Sequence, residues 1–298
     1  MSLIGAIPPP ALHVMSYNIR RRMPTLYPVM ADRWSHRRPL LQQLLDDEQP
    51  TLLGVQEALP EQASFVRHAL GERYRSVGHG REKGGRGEGC PIFYDTERMR
   101  LLDFTQTALS DTPDVRGSTT WGNRTPRVIV DATFADLATG IRFRFVNTHF
   151  DNRSRLSRVR SAGRLREVVL ASGLPTVVTG DFNVDGGAEA HEILLQGGKL
   201  LDTWSDADAR ITEKWGTFLN YHPPEHDRKR IDWILVTPDV KIEKVGINIT
   251  RFEHGWPSDH AAVQAVVRLS PTTSGSTGNS YPPRSPRSPW SLTEMPPG

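Results

Sequence analysis

Cysteine is almost missing from this chain: its 298 residues contain one, Cys90. A single thiol excludes a disulfide framework and any zinc site built from several thiolates. Long apolar runs are missing as well, and none approaches the ~20 residues needed to cross a bilayer. The apolar start, Leu3-Ile4-Gly5-Ala6-Ile7, is too short for a secretory h-region and has no basic flank before it, so a cytoplasmic protein is expected. Charge of one sign is also scarce, because 37 Lys and Arg against 34 Asp and Glu leave a net +3. With a pI near 9.1, that balance permits an anionic partner such as nucleic acid without requiring one. What remains, 37% hydrophobic and 24% charged residues, describes a soluble globular chain with room for one large domain or two small ones.

Several stretches share one layout, a hydrophobic strand that ends in a polar group. In Leu174-Pro175-Thr176-Val177-Val178-Thr179-Gly180-Asp181-Phe182-Asn183 an apolar run delivers an acid and an amide, with a glycine beside them that lets another group approach. The same layout recurs in Met15-Ser16-Tyr17-Asn18-Ile19-Arg20, Leu53-Gly54-Val55-Gln56-Glu57, Asn147-Thr148-His149-Phe150-Asp151, Arg230-Ile231-Asp232-Trp233-Ile234 and Ser258-Asp259-His260. Taken singly, most have ordinary readings: a turn for Asn18, a helix cap for Glu57, a core histidine for His149, a surface turn for Asp259-His260. Asp232 differs, because an acid inside Ile-Asp-Trp-Ile-Leu-Val should be buried and needs a partner.

Residues 1–11 read as a loose arm. Leu12 to Arg20 reads as a strand, Ser35 to Gln49 as a helix capped by Ser35, residues 51–55 as a strand, and Pro60 to Leu70 as a helix stopped by Gly71. This strand–helix–strand–helix opening predicts an α/β architecture. The Gly- and charge-rich stretch 79–89 reads as a mobile, exposed loop. Strands are expected at 91–94, 100–109, 127–134 and 141–149, then a helix over 153–172 with Leu156, Val159, Leu165, Val168 and Val169 toward a core. A second strand series follows at 176–179, 215–219, 231–236, 240–249 and 261–269. The last residues, 271–298, are Pro-, Ser-, Thr- and Gly-rich and are expected to be a disordered tail beyond a catalytic domain at 12–270.

Together, in this order, the strand ends from Asn18 to His260 resemble the endonuclease/exonuclease/phosphatase superfamily of metal-dependent phosphoesterases. The resemblance runs from about Leu12 to Leu269. It implies a four-layer α/β/β/α sandwich of two packed mixed β-sheets with helices outside, and a site at one end of the packed sheets. The oxygen-rich donor set, without thiolates, favours a hard cation, Mg²⁺ or Mn²⁺. By resemblance Glu57 is the principal metal ligand, with Asn18 beside it and Asp259 in the same cluster. His260 and Asp232 correspond to the family's histidine–carboxylate pair, with His260 either a base toward water or a cation toward phosphate. Asp181 is the rival for aligning or deprotonating the water, while Asn183 and His149 are expected to donate to non-bridging oxygens. Arg127, Asp151 and Asn152 are candidate phosphate or substrate contacts. The implied reaction is in-line attack of water on phosphorus.

The branch within the family is less determined. Asn147-Thr148-His149-Phe150 departs from the Asn-Ala-Tyr stretch of abasic-site endonucleases. The stretch around Asp232 lacks the Pro-x-Trp-x-Asp-Arg form of inositol polyphosphate 5-phosphatases. Leu109-Ser110-Asp111-Thr112-Pro113, with Gly117-Ser118 and Trp121, resembles mostly uncharacterised bacterial members distantly similar to deadenylase-type nucleases. A nucleic-acid phosphodiester is the first expectation, and a sugar-phosphate, lipid head group or nucleotide the alternative. The six arginines from Arg153 to Arg166 suit either a polyanion or a solvated helix face. A non-catalytic binding protein on this fold would be expected to have lost at least one of Glu57, Asp181, Asp232 or His260, and all four are present.

Overall fold

The computed structural model describes residues 2–24 and 29–270; the expected tail at 271–298 lies outside them. Among the described residues thirteen strands form two mixed sheets. The first sheet contains β1 (Leu12–Asn18), β2 (Leu52–Gln56), β3 (Tyr74–Val77), β4 (Ile92–Asp95), β10 (Ala209–Arg210), β12 (Val240–Asn248) and β13 (Ala262–Leu269), in the order β10-β12-β13-β1-β2-β4-β3. The second contains β5 (Met99–Ala108), β6 (Val128–Asp136), β7 (Arg142–His149), β8 (Thr176–Asp181), β9 (Leu201–Asp202) and β11 (Asp232–Val236), in the order β5-β6-β7-β8-β11-β9. The helices are α1 (Trp34–Glu48), α2 (Pro60–Leu70), α3 (Arg155–Leu170), α4 (Glu189–Leu195) and α5 (Thr203–Asp206).

Three separate apolar clusters define the layers. One packs Leu40, Leu41, Leu44, Leu45 and Val66 of α1 and α2 against Met15, Tyr17, Leu53 and Val55 of the first sheet. Another lies between the sheets, where Leu12, Val14, Leu52 and Ile92 meet Val130, Phe134, Phe143, Phe145, Val177 and Ile234. The third packs Leu165, Val169 and Leu194 of α3 and α4 against Val146, Val178, Trp233 and Leu235 of the second sheet. Helix, sheet, sheet and helix therefore stack as four layers, each strand showing alternate residues to a helix and to the facing sheet. No helix of the described residues is long and apolar enough to cross a membrane.

The inter-sheet face changes character along its length. In β1 the residues facing inward run Leu12, Val14, Ser16, Asn18, and in β7 they run Phe143, Phe145, Asn147, His149, from apolar to polar. Where the change occurs, Asn147 joins the sheets. Its amide donates to the Val55 and Cys90 carbonyls at 2.8 and 3.1 Å, and its Oδ1 accepts from Gln56 Nε2 at 2.7 Å and Thr179 Oγ1 at 3.0 Å. Gly54 faces this amide, and a Cβ there would stand 2.1 Å from Thr179 Oγ1.

Local signals account for most element ends. Pro60 opens α2, Gln62 Oε1 accepts the Leu59 N–H, and Gly71 closes the helix at φ 103°. Ser154 caps α3 by accepting from Ser157 N at 3.1 Å. Five expectations are corrected, the last of them the loose arm at the start of the chain. First, α1 starts at Trp34 with no side-chain cap, so Ser35 lies inside its first turn. Second, 215–219 is not a strand, because its hydrogen bonds go to scattered partners: Thr217 N donates to Lys229 O and Leu219 N to Asp259 O. Third, Leu156 is 53% exposed and Val159 only half-buried; α3 turns Ser157, Ser161 and Ala162 inward with Leu165 and Val169, small residues that let the helix lie close to the sheet. Fourth, 79–89 is a closed hairpin-like loop, with Arg81 N donating to Glu88 O and a Gly80–Gly89 bridge, and Arg81 is buried. The segment expected as a loose arm is tethered: the buried Glu48 carboxylate accepts from the backbone N–H groups of Leu3, Ile4 and Gly5 and from Asn248 Nδ2.

Candidate active site

Strand register assembles the site at the polar end of the sandwich. Across the second sheet His149 on β7, Asp181 on β8 and Asp232 on β11 are direct register partners, so three adjacent strands put them in one row. Across the first sheet Asn18 on β1 is paired with Gln56 at the end of β2, Glu57 follows, and Asp259 and His260 immediately precede β13. The row and the second group meet where Asn18 Nδ2 donates to Asp181 Oδ2 at 3.0 Å and Glu57 Oε1 at 3.2 Å. Arg20, Glu57 and Asn183, each one or two residues past a strand end, take left-handed φ of 56°, 62° and 55°. Such backbone is uncomfortable for Arg and Glu and gathers where side-chain aim matters.

The His260 ring faces Asp232, with Nδ1 donating to Oδ2 at 2.9 Å, and its Nε2 lies 3.9 Å from Asp181 Oδ2. Burial disfavours the imidazolium, but Asp232, Asp181 and Asp259 outweigh it and push His260 up to about 10. Asp232 is fully buried, takes Thr217 Oγ1 on its backbone N–H, and has an Oδ1 with no partner among the described residues. Asp181 accepts from Asn183 N at 2.9 Å as well as from Asn18. Burial and Asp232 raise it to about 7, against the pull of His260 and Asn18. His149 Nε2 is 3.4 Å from Asp181 Oδ2, and burial together with the Arg127 and Arg81 charges holds His149 neutral.

Glu57 keeps its charge. Burial opposes it, but the Arg21 N–H at 3.1 Å, His260, Asn18 and Arg20 lower its pKa. Asp259 is raised by burial and by Glu57, with Arg20 Nε 3.5 Å away as a partial counter-charge. Glu57 and Asp259, two carboxylates that repel one another, are hard oxygen donors that fit a divalent cation, while Asn18 turns Nδ2 to Glu57 and its Oδ1 accepts from Arg20 N at 3.0 Å. Asp181, Asp232 and His260 also offer ligand atoms within 4.8 Å of one another. There, however, His260 Nδ1 is committed to Asp232 and its ring is protonated, so this trio suits proton handling better than ligation.

All the residues singled out from the sequence stand at this end of the molecule. Glu57, Arg127, His149, Asp151, Asn152, Asp181, Asn183, Asp259 and His260 line one cleft of about 950 Å³, and Asn18 and Asp232 stand behind its wall. Asn183 is already engaged, one amide N–H going to Phe150 O at 3.0 Å. Arg127 reaches Asp151 Oδ2 at 3.4 Å and Asn152 Oδ1 at 3.5 Å. Most arginines of α3 are paired away from the cleft: Arg155 with Glu189, Arg160 with Asp111, Arg164 with Glu167, Arg166 with the Gln196 carbonyl. Arg153 alone of the six is in the cleft wall. Sequence reasoning passed over Arg20, Arg81, Glu88 and Phe218, which also line it. For Arg81 the available signal was the glycine at each end of its loop, Gly80 and Gly89, which pair to close it.

Comparison with known proteins agrees with this geometry. Residues 15–260 match the sequence profile described as the Endonuclease/Exonuclease/phosphatase family. A crystal structure of an endonuclease/exonuclease/phosphatase family protein from Bacteroides thetaiotaomicron is 30% identical, with a TM-score of 0.82 over 89% of this chain and 97% of that one. A mannosyl-6-phosphatase from the same organism is 30% identical, with a TM-score of 0.80 over 87% of this chain and 100% of that one. Nocturnin of Drosophila melanogaster is 24% identical over 292 residues, 83% of this chain and 44% of the relative, so the chain spans less than half of that protein's length.

Proposed function

The chain belongs to the endonuclease/exonuclease/phosphatase family of phosphoester hydrolases, and on that premise we propose that it hydrolyses a small phosphorylated molecule with Mg²⁺ or Mn²⁺, by in-line attack of water on phosphorus. The observation that carries the reading is the convergence of Glu57, Asp181, Asp259 and His260 from both sheets onto one cleft wall, with Asn18 and Asp232 behind it, joined by the His260–Asp232 and Asn18–Asp181 hydrogen bonds.

Glu57, Asn18 and Asp259 would hold the cation, which supplies Lewis-acid stabilisation of charge on the phosphoryl oxygens. His260, kept an imidazolium by Asp232, donates from Nε2 to the developing negative charge. Asp181, fixed by Asn18 and by the Asn183 N–H, orients the attacking water and takes its proton. His149 Nε2 stands 3.4 Å from Asp181 Oδ2, the oxygen that Asn18 also holds, and steadies it there. Asp151 and Asn152 hold the Arg127 guanidinium at the cleft wall, where it faces the phosphate.

Two observations favour a small substrate over the nucleic acid first expected. Phe218 is the only Phe, Tyr or Trp in the cleft wall among the described residues, whereas a nucleic-acid track draws much of its affinity from several stacking faces. The 30%-identical mannosyl-6-phosphatase also matches along its whole chain. Nucleic acid is the second reading, favoured by the exposed Arg21, Arg124 and Arg153 on the rim.

The test is hydrolysis of a panel with Mg²⁺ or Mn²⁺: sugar 6-phosphates, p-nitrophenyl phosphate, bis-p-nitrophenyl phosphate, oligonucleotides and a phospholipid, beside H260A. Turnover of small phosphates lost in H260A is expected. Oligonucleotide turnover well above the small esters would move the protein to the nuclease reading, and equal rates from H260A would overturn the assigned site.

A further inference from the structure

Two buried arginines line the cleft wall that also holds His149, and neither is fully bonded. Arg127 is 4% exposed and Arg81 6%. Arg127 Nη1 and Arg81 Nε are buried without a partner among the described residues. The contacts that Arg127 does make, to Asp151 and Asn152, are at the long limit for hydrogen bonds. Asp151 cannot do much more for it, since its Oδ1 already accepts from Arg153 N at 2.9 Å and Ser154 N at 2.7 Å. Arg81 is held on one side only, by Glu88 at 2.5 Å. The two cations also feel one another, as burial and the Arg81 charge lower the pKa of Arg127. Buried guanidinium groups with idle N–H donors, each within reach of the other's charge, are costly unless an anion completes them. Both line the cleft, and their charges reach His149, which touches Asp181. The anion they await therefore sits against the reaction centre.

We propose that Arg81 and Arg127 form a clamp for the terminal phosphoryl group, selecting phosphomonoesters over phosphodiesters. The proposal rests on the hydrolase reading above and narrows its substrate class. A monoester dianion brings three non-bridging oxygens and a second negative charge; a diester brings two oxygens, one charge and a further organic substituent. The guanidinium forks offer the extra donors that only the third oxygen can fill, in the planar geometry that suits phosphate. A diester would have to place its second substituent against them and leave both arginines incomplete.

The experiment compares wild type, R127M, R127K and R81M in two readouts, with thermal melting to establish that each variant is folded. The first is kcat/KM for p-nitrophenyl phosphate and bis-p-nitrophenyl phosphate at saturating Mn²⁺. The second, independent of turnover, is calorimetric binding of inorganic phosphate. Wild type should prefer the monoester. R127M and R81M should lose about tenfold or more of monoester kcat/KM and of phosphate affinity, a loss typical of a charge-assisted hydrogen bond, with the diester changed far less. R127K, which keeps the charge and loses the fork, should fall between. Equal losses on both esters, a wild-type preference for the diester, or phosphate binding unchanged in R127M would each overturn the clamp. Absence of turnover in wild type together with Arg-dependent phosphate binding would sink the hydrolase reading and leave the anion site standing. Should R81M fail to fold because Glu88 is stranded, R127M and R127K still decide the question.

Discussion

Asp232 Oδ2 lies 2.9 Å from His260 Nδ1 in a site where both side chains are nearly inaccessible. The pair is made between β11, in the second sheet, and the residue that leads into β13, in the first. It fixes the tautomer and charge of the ring at once, leaving Nε2–H as the donor that faces the cleft.

Replacing Asp232 by Asn removes that control while keeping the shape. D232N should lower kcat for the best small phosphate by about 10²- to 10⁴-fold, the range of positioned acid–base groups, with KM changed much less. Steady-state kinetics on the folded variant checks this, and a loss confined to KM would assign the pair to substrate binding instead.

Metal removal should be reversible. Chelation should abolish turnover and added Mg²⁺ or Mn²⁺ should restore it. In E57Q the metal concentration giving half-maximal rate should rise by more than the about 10–100-fold typical of groups one step removed from a metal. Metal titrations of the rate, with Mn²⁺ binding followed by calorimetry, would show an unshifted midpoint if Glu57 were not a ligand.

Gly54 has a steric requirement that has nothing to do with turns. A Cβ there would fall 2.1 Å from Thr179 Oγ1 and 2.8 Å from Asn147 Oδ1. G54A should destabilise the fold by about 1–3 kcal/mol, as overpacking of a close-packed interior does, and T179A should relieve part of that cost in the double variant. Urea denaturation of the four proteins in this cycle measures both effects; strict additivity would mean that Thr179 is not the obstacle.

His13 supplies a pH dependence remote from the catalytic groups. It is fully buried, with Nδ1 on Gly5 O at 2.9 Å, and burial lowers its pKa to about 4 although Glu48 opposes the shift. The unfolded chain therefore binds a proton that the folded chain refuses between pH 6.5 and about 4. Stability must rise with pH across that window and fall as acid is added, by up to about 3 kcal/mol. H13Q should flatten this part of the curve, as read from melting temperatures between pH 4 and 7; an unchanged slope would trace acid sensitivity to other groups.

Much of this was legible before the structure, for definite reasons. Period-two strands ending in Asn18, Asp181 and His149 show both the strand and its end, because a polar residue on an inward-facing position has to sit where apolar packing stops. Asp232 was readable as buried for the same reason. Arg81 was not, because what buries it is the closure of its own loop onto Glu88, and a Gly-rich composition disguises that closure as mobility. Leu156 misled in the opposite way: its helical spacing is right, but α3 lies so close to the sheet that Ser157 and Ser161 fill the contact and the leucine is left outside. The 215–219 segment has strand composition, yet no single neighbouring strand runs alongside it.

β1, the first strand, is the inner neighbour of β13, the last, and the cleft takes Asn18 from the end of one and His260 from just before the other. During synthesis the ribosome delivers these two residues 242 positions apart. A nascent chain thus carries Asn18 and the strand bearing Asp181 long before it carries His260, and Asp232 only 28 residues before it. Any polypeptide cut short before His260 lacks both the imidazole and β13, the strand between β12 and β1, so on the proposed function such products would be inert and hydrolytic capacity would arrive in a single late step.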